Sequence, residues 1–182
     1  MPPPLDCLIV GAGPAGLTAA LYLARFRRSV VIADSGASRA QWIPRSRNVP
    51  GFPEGVGGEA LLEALRRQLA IYDVEPVAAH VEDLQSEDGV FTARVGQDGL
   101  SARTVILATG VVETVPPIEG AAEAIRRGVL RVCPICDGYE AQGRRVAVMG
   151  AGDHAAREAL FLRTFAQHVT LLLTPEWPAP EG

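Results

Sequence analysis

Asp6-Cys7-Leu8-Ile9-Val10 runs straight into Gly11-Ala12-Gly13-Pro14-Ala15-Gly16. A short, unbroken apolar run bounded by glycine reads as a strand buried on both faces, the kind found in parallel sheets. Pro14 suits the first turn of a helix, where its missing N–H costs nothing. Leu17, Ala20, Leu21 and Ala24 then recur at helical spacing, and Arg25, Arg27 and Arg28 close the helix near the negative end of its dipole. Ser29 to Ala33 is a second apolar strand, ending at Asp34. Parallel strands need a crossover, so this stretch is one βαβ unit.

The residue types in the turn carry a chemistry. Gly11 permits the tight turn, Gly13 lets backbone approach a pyrophosphate, and Gly16 lets the helix pack on the strand. After Pro14, the free N–H groups of Ala15, Gly16 and beyond lie at the positive helix end, which favours phosphate. Asp34, about 20 residues downstream, stands where a carboxylate accepts hydrogen bonds from ribose hydroxyls. Small residues alone would serve helix–strand packing; Asp34 tips the reading toward a dinucleotide.

The pattern returns. A strand is expected at Arg145 to Met149, Gly150-Ala151-Gly152-Asp153-His154-Ala155 follows, a helix is expected near His154 to Phe165, and a strand at Val169 to Leu173. This second unit is less complete. Ala155 replaces the third glycine, which is tolerated. Thr174-Pro175-Glu176 ends the second strand with no acid at the usual place and no arginine for a 2′-phosphate. Asp153 also adds negative charge near the helix start. Dinucleotide binding at Gly150, Gly152 and Ala155 still outweighs a purely structural role.

Between the units, Ser35 to Gly58 reads as a long loop, and Glu59 to Tyr72 as a helix with Leu61, Leu65, Leu69 and Tyr72 on one face. The period then changes to two. Val77 to Leu84, Val90 to Val95 and Leu100 to Ala108 read as three strands, the last two joined by a hairpin loop at Gly96-Gln97-Asp98-Gly99. Val115-Pro116-Pro117-Ile118 is stiff and extended, a natural boundary between residues 1–115 and 116–182.

The 182 residues are 48% hydrophobic and 21% charged, ordinary for a soluble globular protein. A net charge of -4 gives no electrostatic reason to expect nucleic acid. Leu8 to Ala24 is mostly apolar, but glycines and Pro14 break it and no Lys or Arg precedes it, so neither a membrane span nor an export signal is expected. The default location is cytoplasmic. Arg126, Arg127 and Arg131 read first as a solvated face; the sharper reading is that they favour a thiolate or an acidic partner.

Three cysteines do not make a disulfide scaffold. Cys7 lies in a strand and reads as a small buried apolar residue. Cys133-Pro134-Ile135-Cys136 places two thiols within disulfide reach, and a helix start there would stabilise a thiolate. Asp137 follows at once, and its carboxyl can shuttle a proton to a leaving thiolate. A zinc site would need further ligands, and His154 and His168 do not match finger spacing. No metal is expected. Two inert structural cysteines fit the polar, glycine-rich context poorly, and the flanking units leave no room for a separate thioredoxin-like domain.

With both glycine turns, Cys133-Pro134-Ile135-Cys136-Asp137-Gly138-Tyr139-Glu140 resembles the signature of the low-molecular-weight thioredoxin reductase family, over about Asp6 to Leu173. Asn48-Val49-Pro50-Gly51-Phe52-Pro53 resembles the family's flavin-side loop, with Asn48 near the isoalloxazine. Ala108-Thr109-Gly110 resembles its second FAD-contacting strand end, and the resemblance implies that Thr109 and Gly110 would contact FAD. The resemblance implies an α/β flavoenzyme. Its FAD-binding Rossmann-like domain carries a three-stranded β insertion, and the start of a second Rossmann-like domain, for a nicotinamide cofactor, follows. Electrons would pass from NAD(P)H through FAD to the Cys133/Cys136 disulfide and on to a thioredoxin-like protein or a small disulfide. Cys136 would face the flavin, Cys133 would attack the external disulfide, and Asp137 would be the acid/base. The family also rotates one domain against the other, with a hinge strand expected at Val115 to Ile118, and its members are usually homodimers.

This chain departs from the family at four points. Asp34 stands where Glu is commoner, the loop from Ser35 to Arg47 lacks a Gly-Gly-Gln stretch, and the basic residues that would hold NADPH after Leu173 are absent. The fourth is length, since only about one βαβ unit is present for the nicotinamide domain and the final FAD-domain segment does not follow. The expectation is a fragment or truncated form of a longer reductase that binds FAD weakly and turns over poorly. The alternatives are a flavin-dependent small-dithiol oxidase and a truncated flavin-binding remnant without catalysis.

Overall fold

Cys7, Leu8 and Ile9 are all buried, in strand β1 (Leu5–Val10), but they face opposite ways. Alternation along a strand sends Cys7 and Ile9 to one side of the sheet and Leu8 to the other. Cys7 and Ile9 pack with Leu17, Ala20 and Leu21 of helix α1 (Pro14–Arg25) and with Leu62 and Leu69 of helix α2 (Gly58–Ala70). Leu8 packs with Ala33 of β2 (Val30–Asp34) and with Ala93, Val95 and Ala102 of an antiparallel meander. The parallel strands therefore carry helices on one face and β-strands on the other. Cys7 is a buried free thiol, as its apolar setting predicts.

The structure is a computed structural model that describes residues 3–175. Cα proximity divides it into two compact units, Met1–Ile43 with Val56–Val111, and Pro44–Gly55 with Val112–Gly182. The first unit holds a six-stranded sheet of order β3-β2-β1-β6-β5-β4. β1, β2, β3 (Val77–Ala78) and β6 (Asp98–Leu107) run parallel to one another, whereas β4 (Val81–Glu87) and β5 (Val90–Val95) join antiparallel. β6 serves both halves. Its Ala102 is paired with Leu5 of β1 and with Phe91 of β5. At the foot of β1, Asp6 accepts hydrogen bonds from the Ser29 N–H (2.9 Å) and hydroxyl (3.1 Å), and the backbone bond above all holds its carboxyl below the ordinary range.

The run Val77 to Leu84, expected as one strand, is two. Val77–Ala78 pairs with β2, and β4 starts only at Val81. Between them the Ala79 N–H donates to Asp34 O and His80 O accepts from the Gly96 N–H, so the run changes partners. An alternating pattern records exposure and does not register such a change. The hairpin loop is tighter than expected, with Val95 paired to Asp98 across Gly96-Gln97. The long loop after β2 contains a 3-10 turn at Arg39–Trp42, capped by Ser38 Oγ.

In the second unit β7 (Arg145–Gly150), α5 (Gly152–Leu162) and β8 (His168–Leu173) form the expected parallel βαβ unit. Its core is small. Ala141, Val148, Leu162 and Ala166 are the buried apolar side chains of that cluster, while Leu160 and Leu172 stay largely exposed. Two strands cover only part of a helix. Helix α3 (Ala121–Arg126), with Ala121 and Ile125 buried one turn apart, was not expected, because six residues are too few to show a period. Among the described residues no helix is long and apolar enough to cross a membrane. Glu176 and the proline-rich tail after it lie outside the described residues.

Candidate functional site

The first glycine turn is built by close approach. Gly11 has φ +103, and a Cβ there would come within 2.4 Å of Ala108 O at the end of β6. A Cβ on Gly16 would come within 1.9 Å of Gly11 O. The turn, the first coil of α1 and the β6 end therefore crowd together only because these side chains are missing. Gly13 is the N-cap of α1, Pro14 occupies its first position, and Ala15 and Gly16 follow; no side chain caps the helix. Its leading N–H groups therefore remain available to an anion. Asp34 Oδ1 accepts the Ala12 N–H at 2.9 Å, which orients its carboxylate at the mouth of the turn.

Beside Asp34 the surface opens into a cavity of about 730 Å³ whose lining includes Ser35, Arg66, Arg67, Val77 and His80. No motif marks Arg66, Arg67 or His80, which lie far from Asp34 along the chain. Thr109 and Gly110 are exposed immediately after β6, in the same unit as the turn. Asn48 belongs to the second unit, where it is exposed and its Oδ1 accepts from Ser46 Oγ at 2.6 Å.

Cys133 and Cys136 form a disulfide, with Cα atoms 5.3 Å apart. Pro134 and the residues after it make a single turn, α4 (Pro134–Asp137), and Cys133 is its N-cap. The Cys136 N–H donates to Cys133 Sγ at 3.2 Å, and the Asp137 N–H donates to Cys133 O at 3.1 Å. Cys136 is exposed and Cys133 half-buried. An N–H pointed at sulfur favours its thiolate form once the bond is reduced. Asp137 stands beside the pair, its Oδ1 3.1 Å from Arg131 Nη1. Among the described residues no group of three or more His, Cys, Asp or Glu side chains is placed to hold a metal ion.

Residues 5–181 match the pyridine nucleotide-disulphide oxidoreductase family. The chain belongs to that family. It is 34% identical to a thioredoxin reductase of Mycolicibacterium smegmatis over 92% of its own length and 54% of the relative's. It is 34% identical to the NADPH-dependent thioredoxin reductase 3 of Arabidopsis thaliana over 92% of this chain and 33% of that one. The crystal structure of a thioredoxin reductase from Streptococcus pyogenes superposes with a TM-score of 0.83 at 33% identity, covering 92% of this chain and 55% of that one. The chain thus spans a third to little more than half the length of these relatives. The Rossmann-like α/β class expected from the sequence holds, and so does the likeness to thioredoxin reductases.

FAD fits the first turn of this chain: the N–H groups at the start of α1 lack a side-chain cap, and Asp34 is already turned to the mouth. Two residues around the disulfide had roles the sequence left hidden. Arg131, expected on a solvated face or, more sharply, to favour a thiolate or an acidic partner, pairs with Asp137, and its Nε donates to Gly128 O at 2.9 Å. Arg126 pairs separately with Glu123. Gly138 is buried where a Cβ would meet the Phe165 ring at 2.7 Å and Pro134 O at 2.9 Å. Only glycine lets the cysteine turn lie against that ring. Gly138→Ala is expected to destabilise this turn by about 1–3 kcal/mol. A lower denaturation midpoint for Gly138→Ala, restored in part by adding Phe165→Leu, would confirm the contact; unchanged unfolding in Gly138→Ala would refute it.

Proposed function

We propose that this chain works as a thioredoxin-reductase-like flavoenzyme that reduces the disulfide of a thioredoxin-like protein or a small molecule. The observation that supports this most is the Cys133–Cys136 disulfide at the start of a helical turn, with Asp137 alongside, in a chain that also carries a dinucleotide cradle. FAD held at Gly11, Gly13 and the start of α1 would supply a two-electron carrier, and a nicotinamide nucleotide at Gly150, Gly152 and Ala155 would supply the hydride.

The chain's own residues then do three things. In the dithiol state, Cys133 is the thiolate, stabilised by the Cys136 N–H. Its sulfur attacks one sulfur of the external disulfide, forming a mixed disulfide and expelling the first thiolate. The Cys136 sulfur then attacks Cys133, re-forming the internal disulfide and releasing the second thiolate. Asp137 exchanges the protons, taking one from Cys136 as it attacks and giving it to the departing thiolate. Two electrons and the Cys136 proton leave the cysteine pair; the substrate's two sulfurs depart as one thiolate and one thiol, and the thiolate takes its proton from water. Arg131 holds the Asp137 carboxylate in place at 3.1 Å.

Titrating the purified chain with FAD and adding a small dithiol under argon tests the reading. Bound flavin should bleach in the native chain and not in a Cys133→Ser, Cys136→Ser double variant. Failure to bind FAD at any concentration, or equal bleaching in both proteins, would defeat it.

A further inference from the structure

Each glycine turn sits at the C-terminal end of a parallel strand pair, so the residue facing its first glycine can be read from the register. In the first unit Val10 pairs with Ala33, and one step on Gly11 stands across from Asp34; the Gly11 N–H donates to Ala33 O at 2.8 Å. In the second unit Gly150 itself pairs with Leu173, and the Thr174 N–H donates to Gly150 O at 2.9 Å. Leu173 therefore occupies the place of Asp34. Dinucleotide folds put a carboxylate there for the ribose 2′-hydroxyl, or an arginine nearby for a 2′-phosphate. Leu173 is 68% exposed and offers neither.

The surrounding charges lean the same way. Asp153 lies in the first turn of α5, His154 is 3.8 Å from Glu158, and Arg157 and Arg163 come later, away from the helix start. Arg145 begins β7, at the opposite end of the strand from the turn. Thr174 and Pro175 are uncharged, and residues 176–182 contain Glu176 and Glu181 but no Lys or Arg.

We propose that the β7–α5–β8 unit takes NADH and discriminates against NADPH, with Leu173 as the specificity-determining residue. The inference rests on reading this unit as the nicotinamide site. A 2′-phosphate placed over Leu173 gives up part of a charged group's hydration and gains no charge-assisted hydrogen bond to offset it, whereas a neutral 2′-hydroxyl gives up much less. Asp153, in the first turn of α5, would stand near the pyrophosphate that both nucleotides share, so it would weaken both and leave their ratio alone.

Calorimetric titration of the full chain, FAD added, with NADH and then NADPH tests this without turnover. NADH should bind at least about tenfold more tightly. Leu173→Arg should tighten NADPH by roughly tenfold and change NADH little, and Asp153→Asn should tighten both. NADPH binding as well as NADH in the native chain overturns the inference while leaving the nicotinamide site standing. If neither nucleotide binds the native chain or Asp153→Asn, the site itself is wrong and the inference falls with it.

Discussion

Cys136→Ser should bring disulfide reduction to background, a fall of at least about a thousandfold, and abolish any thiolate–flavin charge-transfer absorbance in the reduced protein. Cys133→Ser should lose turnover as completely, yet its reduced form should display that absorbance, because the thiol assigned to the flavin side remains. The two variants separate because each sulfur has its own task. In the proposed cycle a mixed disulfide would form on Cys133, whose sulfur receives the Cys136 N–H at 3.2 Å, and Cys136 would resolve it. Either loss would break the proposed cycle, but only one would remove the sulfur assigned to the flavin side. Equal loss of the absorbance in both variants would contradict these roles, and substantial turnover in either would remove the disulfide from the chemistry.

Gly16→Ala should destabilise the first unit by about 3 kcal/mol and weaken FAD binding more than tenfold. Inside an ordinary helix the same change would stabilise by up to about 1 kcal/mol, since alanine is the better helix former. The sign reverses because the new Cβ would stand 1.9 Å from Gly11 O and 3.3 Å from the Ala108 Cβ. Either the helix or the turn must move, and the N–H groups at the helix start move with it. Gly99→Ala is the control. It lies at the start of β6 with nothing within 4 Å of an added Cβ, and its effect should stay within about 0.5 kcal/mol. Urea unfolding decides between them. Equal midpoints for the two variants would mean that α1 does not pack so closely on the turn.

Much of this protein is written locally. The strand–turn–helix order at Cys7 to Arg25, the weaker copy at Arg145 to Leu162, and the cysteine pair with its following aspartate are short-range patterns. Each depends on the identity of neighbouring residues, which decides backbone conformation within a turn or two. The missing acid after β8 was legible for the same reason. α3 escaped because one turn and a half shows no period, and the split between β3 and β4 escaped because alternation is blind to partners.

By itself, the order of residues determined the α/β class, the two glycine turns and the closely spaced cysteine pair, since those follow from period, turn chemistry and spacing. The tertiary structure alone decided which atoms meet across long stretches of chain: Ala108 O against Gly11, the Phe165 ring against Gly138, and Leu173 in the register position of Asp34. Those meetings are set by how side chains fill a core and how strands slide into register. Packing of that kind depends on residues distant in sequence, so no local stretch contains it.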